Sequence, residues 1–162
     1  MPNSPENFEK IVEQCILMEI QAMTLYTMLA NRVANEETGG MLRYLAEIEE
    51  SHVGRLVEIF SRSVEGAEKT FANVDVVKAF QSDAWKMHKA RLQGAGLTDT
   101  SPLDDYLAFA IVNETHARTH YDRLSAEASD PLVKDIFRTL SGEEAEHERQ
   151  LTKLRESYRE SR

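Results

Sequence analysis

A chain of 162 residues, 41% hydrophobic and 29% charged, fits one soluble globular domain with room for a sizeable core. Its net charge of −9 and lack of any basic run argue against nucleic acid as a partner, and no stretch approaches the ~18–20 apolar residues of a membrane span. Cys15 is the only cysteine, which excludes an intramolecular disulfide and any Cys-rich zinc or iron–sulfur site, and the polar start MPNSPENFEK is no signal peptide; together they predict a reducing cytoplasm.

Prolines and glycines are few and fall at apparent boundaries. Ser4-Pro5, Ser101-Pro102 and Asp130-Pro131 each put an N-cap residue before a proline suited to the first helical position. From Phe8, apolar residues recur at Ile11, Val12, Cys15, Ile16, Ala22, Met23, Tyr26 and Val33, the 3.6-residue period of a helix. A weak break at Thr38-Gly39-Gly40 precedes a second stripe, Met41, Leu42, Leu45, Ile48, Leu56, Ile59 and Phe60, so residues 5–63 predict a helix pair. The crossover, 64–101, carries a shorter pattern (Val76, Val77, Phe80, Ala84, Met87, His88) that predicts a short extra helix ending near Gly94 and Gly96. Two more stripes, Leu107 to Leu124 and Val133 to Leu154, predict a second pair over 102–160. No segment alternates like a strand. The expected architecture is all-α: two antiparallel hairpins of ~20–30-residue helices forming one four-helix bundle across a long crossover, a single domain over 1–162.

Sliding the sequence by 95 residues lays the first pair on the second without a gap. Glu19 meets Glu114, Tyr26 meets Tyr121, Arg43 meets Arg138, Glu49 meets Glu144 and His52 meets His147. Shared apolar periodicity would align leucines but not Glu, Tyr and His. The match also fixes which glutamate of EEAEH (143–147) pairs with the histidine: Ile48 stands opposite Glu143, so the register is Glu-x-x-His. Residues three apart share a helix face. Glu49 and His52 continue the apolar stripe from Leu45 to Leu56, and Glu144 and His147 the one from Leu140 to Leu151. Glu19 lies between Ile16 and Met23, and Glu114 between Ile111 and Tyr121. All six point toward the predicted core.

Four buried carboxylates carry −4, and one unpaired buried charge costs several kcal/mol. No lysine or arginine sits in these stripes near those levels. Two divalent cations would balance the charge, with both histidines as neutral ligands. One Glu from each of two helices plus Glu-x-x-His from each of the others is the ligand set of dinuclear carboxylate bundles. Oxygen-rich donors with one imidazole per metal favour iron or manganese over a thiolate-type zinc site.

At these residues the sequence resembles the rubrerythrin branch of the ferritin-like superfamily, over nearly the whole chain. The resemblance implies two iron ions held by Glu19, Glu49, Glu114 and Glu144, with Glu49 and Glu144, or else the other two, bridging. It implies His52 and His147 as terminal imidazoles, and Tyr26 and Tyr121 as residues that hydrogen-bond ligand carboxylates and fix their orientation. It also implies a di-iron oxidoreductase of the oxidative-stress response that reduces peroxide or dioxygen. Two departures stand out. Ala117 occupies the position of a further family glutamate, and the appended four-cysteine rubredoxin domain is missing, so the electrons would come from a separate donor protein. Bacterioferritin shares the same elements, but Glu50 stands where its haem-ligating methionine would be, so no haem is expected.

A ferroxidase or iron-storage protein is the second reading, and a structural bundle with a vestigial acidic core the third. Long amphipathic helices favour a homodimer. Of the remaining residues, His116 and His120 are turned away from Glu114 toward solvent or a partner, and Cys15 reads as a small buried hydrophobe. Trp85 and Met87 read as packing residues, and Glu47, Glu50, Glu143 and Glu146 as solvated or channel-mouth residues.

Overall fold

The computed structural model describes residues 5–63 and 73–161. Among them are five α-helices and no strand: α1 (Pro5–Arg32), α2 (Glu36–Ser63), α3 (Asn73–Gly94), α4 (Leu103–Glu127) and α5 (Pro131–Glu160). The all-α expectation holds. The chain divides into two compact units, Met1–Ala90 and Arg91–Arg162, with the boundary inside α3.

In the first unit α1 and α2 pack as an antiparallel hairpin around fully buried Ile20, Leu29, Leu42, Leu45 and Leu56. The connection is residues 33–35, not the glycines at 39 and 40. Asn35 caps α2: its Oδ1 accepts from the Thr38 N–H at 2.8 Å, and its carbonyl accepts from the Gly39 N–H at 2.9 Å. Glu36 and Glu37 then place negative charge in the first turn, where the helix dipole favours it. Thr38-Gly39-Gly40 is therefore helical. A Cβ on Gly39 would press only on the flexible tip of Arg43, with Nη1 at 3.3 Å, while Val33 Cγ2 and the Ala30 carbonyl oxygen would lie at ordinary contact distances of 3.4 and 3.5 Å. The cap expected at Ser4 lies outside the described residues, as do residues 64–72 of the crossover and the side chains of Val76 and Val77.

The extra helix, α3, is present and runs 22 residues, longer than the short element expected. It ends as the glycines predict. Gly96 takes a left-handed φ of 71°, the Gly96 N–H bonds the Gln93 carbonyl at 3.0 Å, and the Leu97 N–H reaches back to the Leu92 carbonyl at 2.9 Å. This is a Schellman closure, whose αL position suits glycine. Ala84 and His88, one turn apart, form the buried face of α3. Trp85 and Met87 are 44% and 43% exposed, so they are not the packing residues expected. The Trp85 ring lies 5.9 Å from the His88 ring, and the Lys89 ammonium sits 5.1 Å from its centroid. A large apolar ring on a helix surface is thus covered by a cation rather than by the core.

In the second unit α4 and α5 pack antiparallel across residues 128–130. Asp130 is the N-cap expected, its side chain accepting from the N–H groups of Leu132 (2.8 Å) and Val133 (3.3 Å), with Pro131 in the first turn. The start of α4 differs by one residue. Pro102 itself is the N-cap and no side chain caps the helix, while Ser101 Oγ accepts from the Thr98 N–H at 2.9 Å. Polar bonds lace the hairpin at several levels. Ser125 Oγ donates to the Lys134 carbonyl, Ser141 Oγ to Asp122, and Arg118 pairs with Glu148 at 3.2 Å. Toward the α4 start, Arg155 and Arg159 both grip Asp104 bidentately, at 2.6–3.0 Å. Asn35 and Asp130 are themselves 95 apart, so the internal match extends through the two connections to the caps that end them.

The hydrogen bonds from Arg159 and then Arg155 hold the Asp104 carboxyl well below the usual carboxylate range. A pKa depressed on folding contributes stability that is present above the unfolded pKa and is lost as pH falls through that value toward the folded one. Asp104→Asn should therefore lower the melting temperature at pH 7, and the gap from wild type should narrow as the pH is taken below ~4. Asp130→Ala should cost ~1 kcal/mol in urea denaturation, the usual effect of losing an N-cap side chain.

Candidate metal centre

Each hairpin carries three buried, metal-ligating side chains on facing stripes. In the first unit Glu19 comes from α1, and Glu49 and His52 from successive turns of α2, at 2%, 1% and 0% exposure. His52 Nδ1 stands 3.2 Å from Glu19 Oε2 and 3.1 Å from Glu49 Oε2. In the second unit Glu114 comes from α4, and Glu144 and His147 from α5, at 2%, 0% and 3% exposure. His147 Nδ1 lies 3.1 Å from Glu144 Oε2 and 3.9 Å from Glu114 Oε2. The Glu-x-x-His register is the one the internal match selected; Glu143 is half-buried and Glu146 is exposed, ion-paired to Arg149. The arrangement identifies Nδ1 as the ring nitrogen turned to the carboxylates, which spacing along a helix could not specify.

The donor chemistry fits a metal ion. Within each triad the carboxylate oxygens and the imidazole nitrogen lie within 4.8 Å of one another. An Nδ1–H carries one proton and satisfies one carboxylate oxygen at a time. A divalent cation in the same place serves two carboxylates and the ring lone pair together, and supplies the positive charge that burial of the carboxylates calls for.

Fully buried leucines flank the Glu-x-x-His pairs along the same helices, Leu45 and Leu56 on α2 and Leu140 and Leu151 on α5. Tyr26 and Tyr121 are buried, and the Tyr121 ring stacks on Phe137 with centroids 5.9 Å apart. Cys15 is fully buried, in keeping with its reading as a small hydrophobe. Ala117 is half-buried on α4, one turn after Glu114. Of the histidines outside the triads, His116 is exposed. His120 is half-buried, with Nδ1 accepting from Arg123 Nη2 at 3.2 Å. Desolvation, and then the Arg123 charge, push its pKa down. Buried Gln21 gave no sequence signal; its Nε2 donates to the Leu17 carbonyl at 3.1 Å, a local helix bond. Among the described residues no helix is long and apolar enough to cross a membrane.

An all-α chain whose two hairpins each bury two glutamates and a histidine in the same register has the makings of a ferritin-like metal-binding protein. A family model for rubrerythrin matches residues 10–96 and 105–162, and the chain belongs to the rubrerythrin family. Comparison with curated proteins gives no match, and comparison with solved structures gives none either.

Burying these carboxylates is a cost that bound metal offsets, which predicts opposite effects with and without it. Glu144→Gln should raise the melting temperature of the metal-free protein, because a neutral amide is cheaper to bury than a carboxylate. The same substitution should shrink the rise in melting temperature that divalent metal gives wild type, about 2.7 kcal/mol at metal one-hundred-fold above its Kd. Calorimetry of both proteins, with chelator and with metal, checks the two signs.

Proposed function

We propose that this chain is a non-haem di-iron oxidoreductase that reduces peroxide or dioxygen with electrons from a separate donor. The observation that carries the reading is the pair of buried triads, each with two carboxylates and an inward-turned imidazole nitrogen, at matching positions in two hairpins. In this reading each triad would hold one divalent ion, two per chain, as the dinuclear carboxylate bundles do. Glu19, Glu49, Glu114 and Glu144 would hold the ions as carboxylate ligands, with His52 and His147 as the imidazole ligands. Two ferrous ions balance the charge of four carboxylates, and the oxygen-rich set favours iron, with manganese the alternative.

When bound, the ions supply two stored electrons and Lewis acidity. The remaining work falls to the protein. Helical residues would hold the ligands at fixed spacing, and the near-complete burial of all six ligands restricts the site to small oxidants. Tyr26 and Tyr121 orient ligand carboxylates and hold a proton near them. Reduction of hydrogen peroxide consumes two electrons and two protons and yields two waters. One cysteine cannot build a four-thiolate iron centre, so the electrons arrive from a donor outside these residues. A homodimer in the cytoplasm that removes peroxide under oxidative stress completes the proposal.

Elemental analysis after anaerobic loading with ferrous iron and desalting should give about two irons per chain, and fewer in Glu49→Ala and Glu144→Ala. Equal loading in all three proteins would overturn the site. Stopped-flow oxidation of the ferrous protein should then be faster with peroxide than with dioxygen at equal concentration. Faster reaction with dioxygen, together with a large cage on sizing and many irons per chain, would turn the reading to ferroxidase and storage.

A further inference from the structure

The two triads are built from the same residue types in the same register, yet they are not equally closed. His52 Nδ1 is nearly equidistant from its two carboxylates, 3.2 Å from Glu19 and 3.1 Å from Glu49. His147 Nδ1 matches that distance to Glu144, at 3.1 Å, but stands 3.9 Å from Glu114. Adjacent ligands of an octahedral ion with bonds of ~2.1 Å lie ~3.0 Å apart, the square root of two times the bond length. Both pairings at His52 are already within a few tenths of an ångström of that spacing. At His147 the pairing to Glu114 is nearly an ångström wider than that spacing, so an ion that takes these two donors as neighbours at ~90° draws Glu114 or the helices inward, a movement the first triad does not need. Such rearrangement is drawn from the binding free energy, and a preorganised donor set loses less of it.

We propose that the two metal positions fill in order, with the first divalent ion going to Glu19, Glu49 and His52 and the second to Glu114, Glu144 and His147. The inference rests on the di-iron reading and adds to it a direction that the internal match would not suggest. Residues 95 apart are identical at all six positions, so the sequence alone predicts two equal sites. The asymmetry lies in how far α4 holds Glu114 from the imidazole.

The test is calorimetric titration of the full chain with ferrous iron under anaerobic conditions, comparing His52→Ala with His147→Ala. The first equivalent should bind His147→Ala within about threefold of its wild-type affinity, and bind His52→Ala at least ~10-fold more weakly, a loss of the size that disturbing a metal ligand's support produces. Circular dichroism establishes that each variant keeps its helices. A second measurement needs no variant. Wild-type crystals grown with one equivalent of cobalt(II) per chain should give an anomalous peak at Glu19, Glu49 and His52 and a weak one at Glu114, Glu144 and His147. Equal peaks with two ions bound at saturation, or a stronger second peak, would overturn the filling order and leave the dinuclear reading standing. No bound metal under any loading would remove both.

Discussion

Six polar side chains buried among leucines are the constraint to which the rest of this protein answers. A carboxylate in a hydrocarbon environment is among the most expensive things a fold can contain, and here there are four, with two imidazoles for company. No packing argument favours them. Their presence at 0–3% exposure means that the helices are arranged to bring donors together, and that stability must be found elsewhere. It comes from fully buried leucines on both hairpins, from caps at the helix starts, and in the second hairpin from polar bonds that tie α4 to α5 at several levels. The metal-free protein is in this sense under tension.

Much of this was legible in the chain because carboxylates and histidines stand out against an apolar stripe. A leucine repeat would have matched any helix with any other; Glu19 with Glu114, and Glu49 and His52 with Glu144 and His147, could match only in one register. That one alignment delivered the helix pairs and the candidate ligands. Finer features were less visible, for identifiable reasons. The double glycine at 39 and 40 reads as a break, because glycine is commonest in turns, although the helix here tolerates both. The true connection was marked by Asn35, a cap whose sequence partner, Asp130, was recognised with the help of its proline. Ser101 misled by one position, since its hydroxyl serves the preceding turn and leaves α4 uncapped by any side chain.

The two units also show how a repeated sequence accommodates divergence. Near the first connection a Cβ on Gly39 would stand 3.5 Å from the Ala30 carbonyl, an ordinary contact distance. At the matching level of the second, Ser125, the counterpart of Ala30, donates a hydrogen bond to the carbonyl of Lys134, the counterpart of Gly39. The bond that Ser125 makes there depends on a hydroxyl that Ala30 lacks. The wider His147–Glu114 spacing belongs to the same pattern: identical ligands supported by non-identical neighbours come to rest at different distances.

The position of Trp85 governs what optical experiments on this protein can see. It is the only tryptophan, and it lies on the partly exposed surface of α3 with the Lys89 ammonium over its ring. Its emission will report the hydration of that helix surface and the distance of one lysine, and a thermal scan followed at tryptophan wavelengths will track the fraying of α3. The buried phenols of Tyr26, Tyr106 and Tyr121 are the chromophores set within the hairpins. Near-ultraviolet dichroism of the tyrosine bands is the signal that follows the cores, and disagreement between the two probes would measure how independently α3 melts.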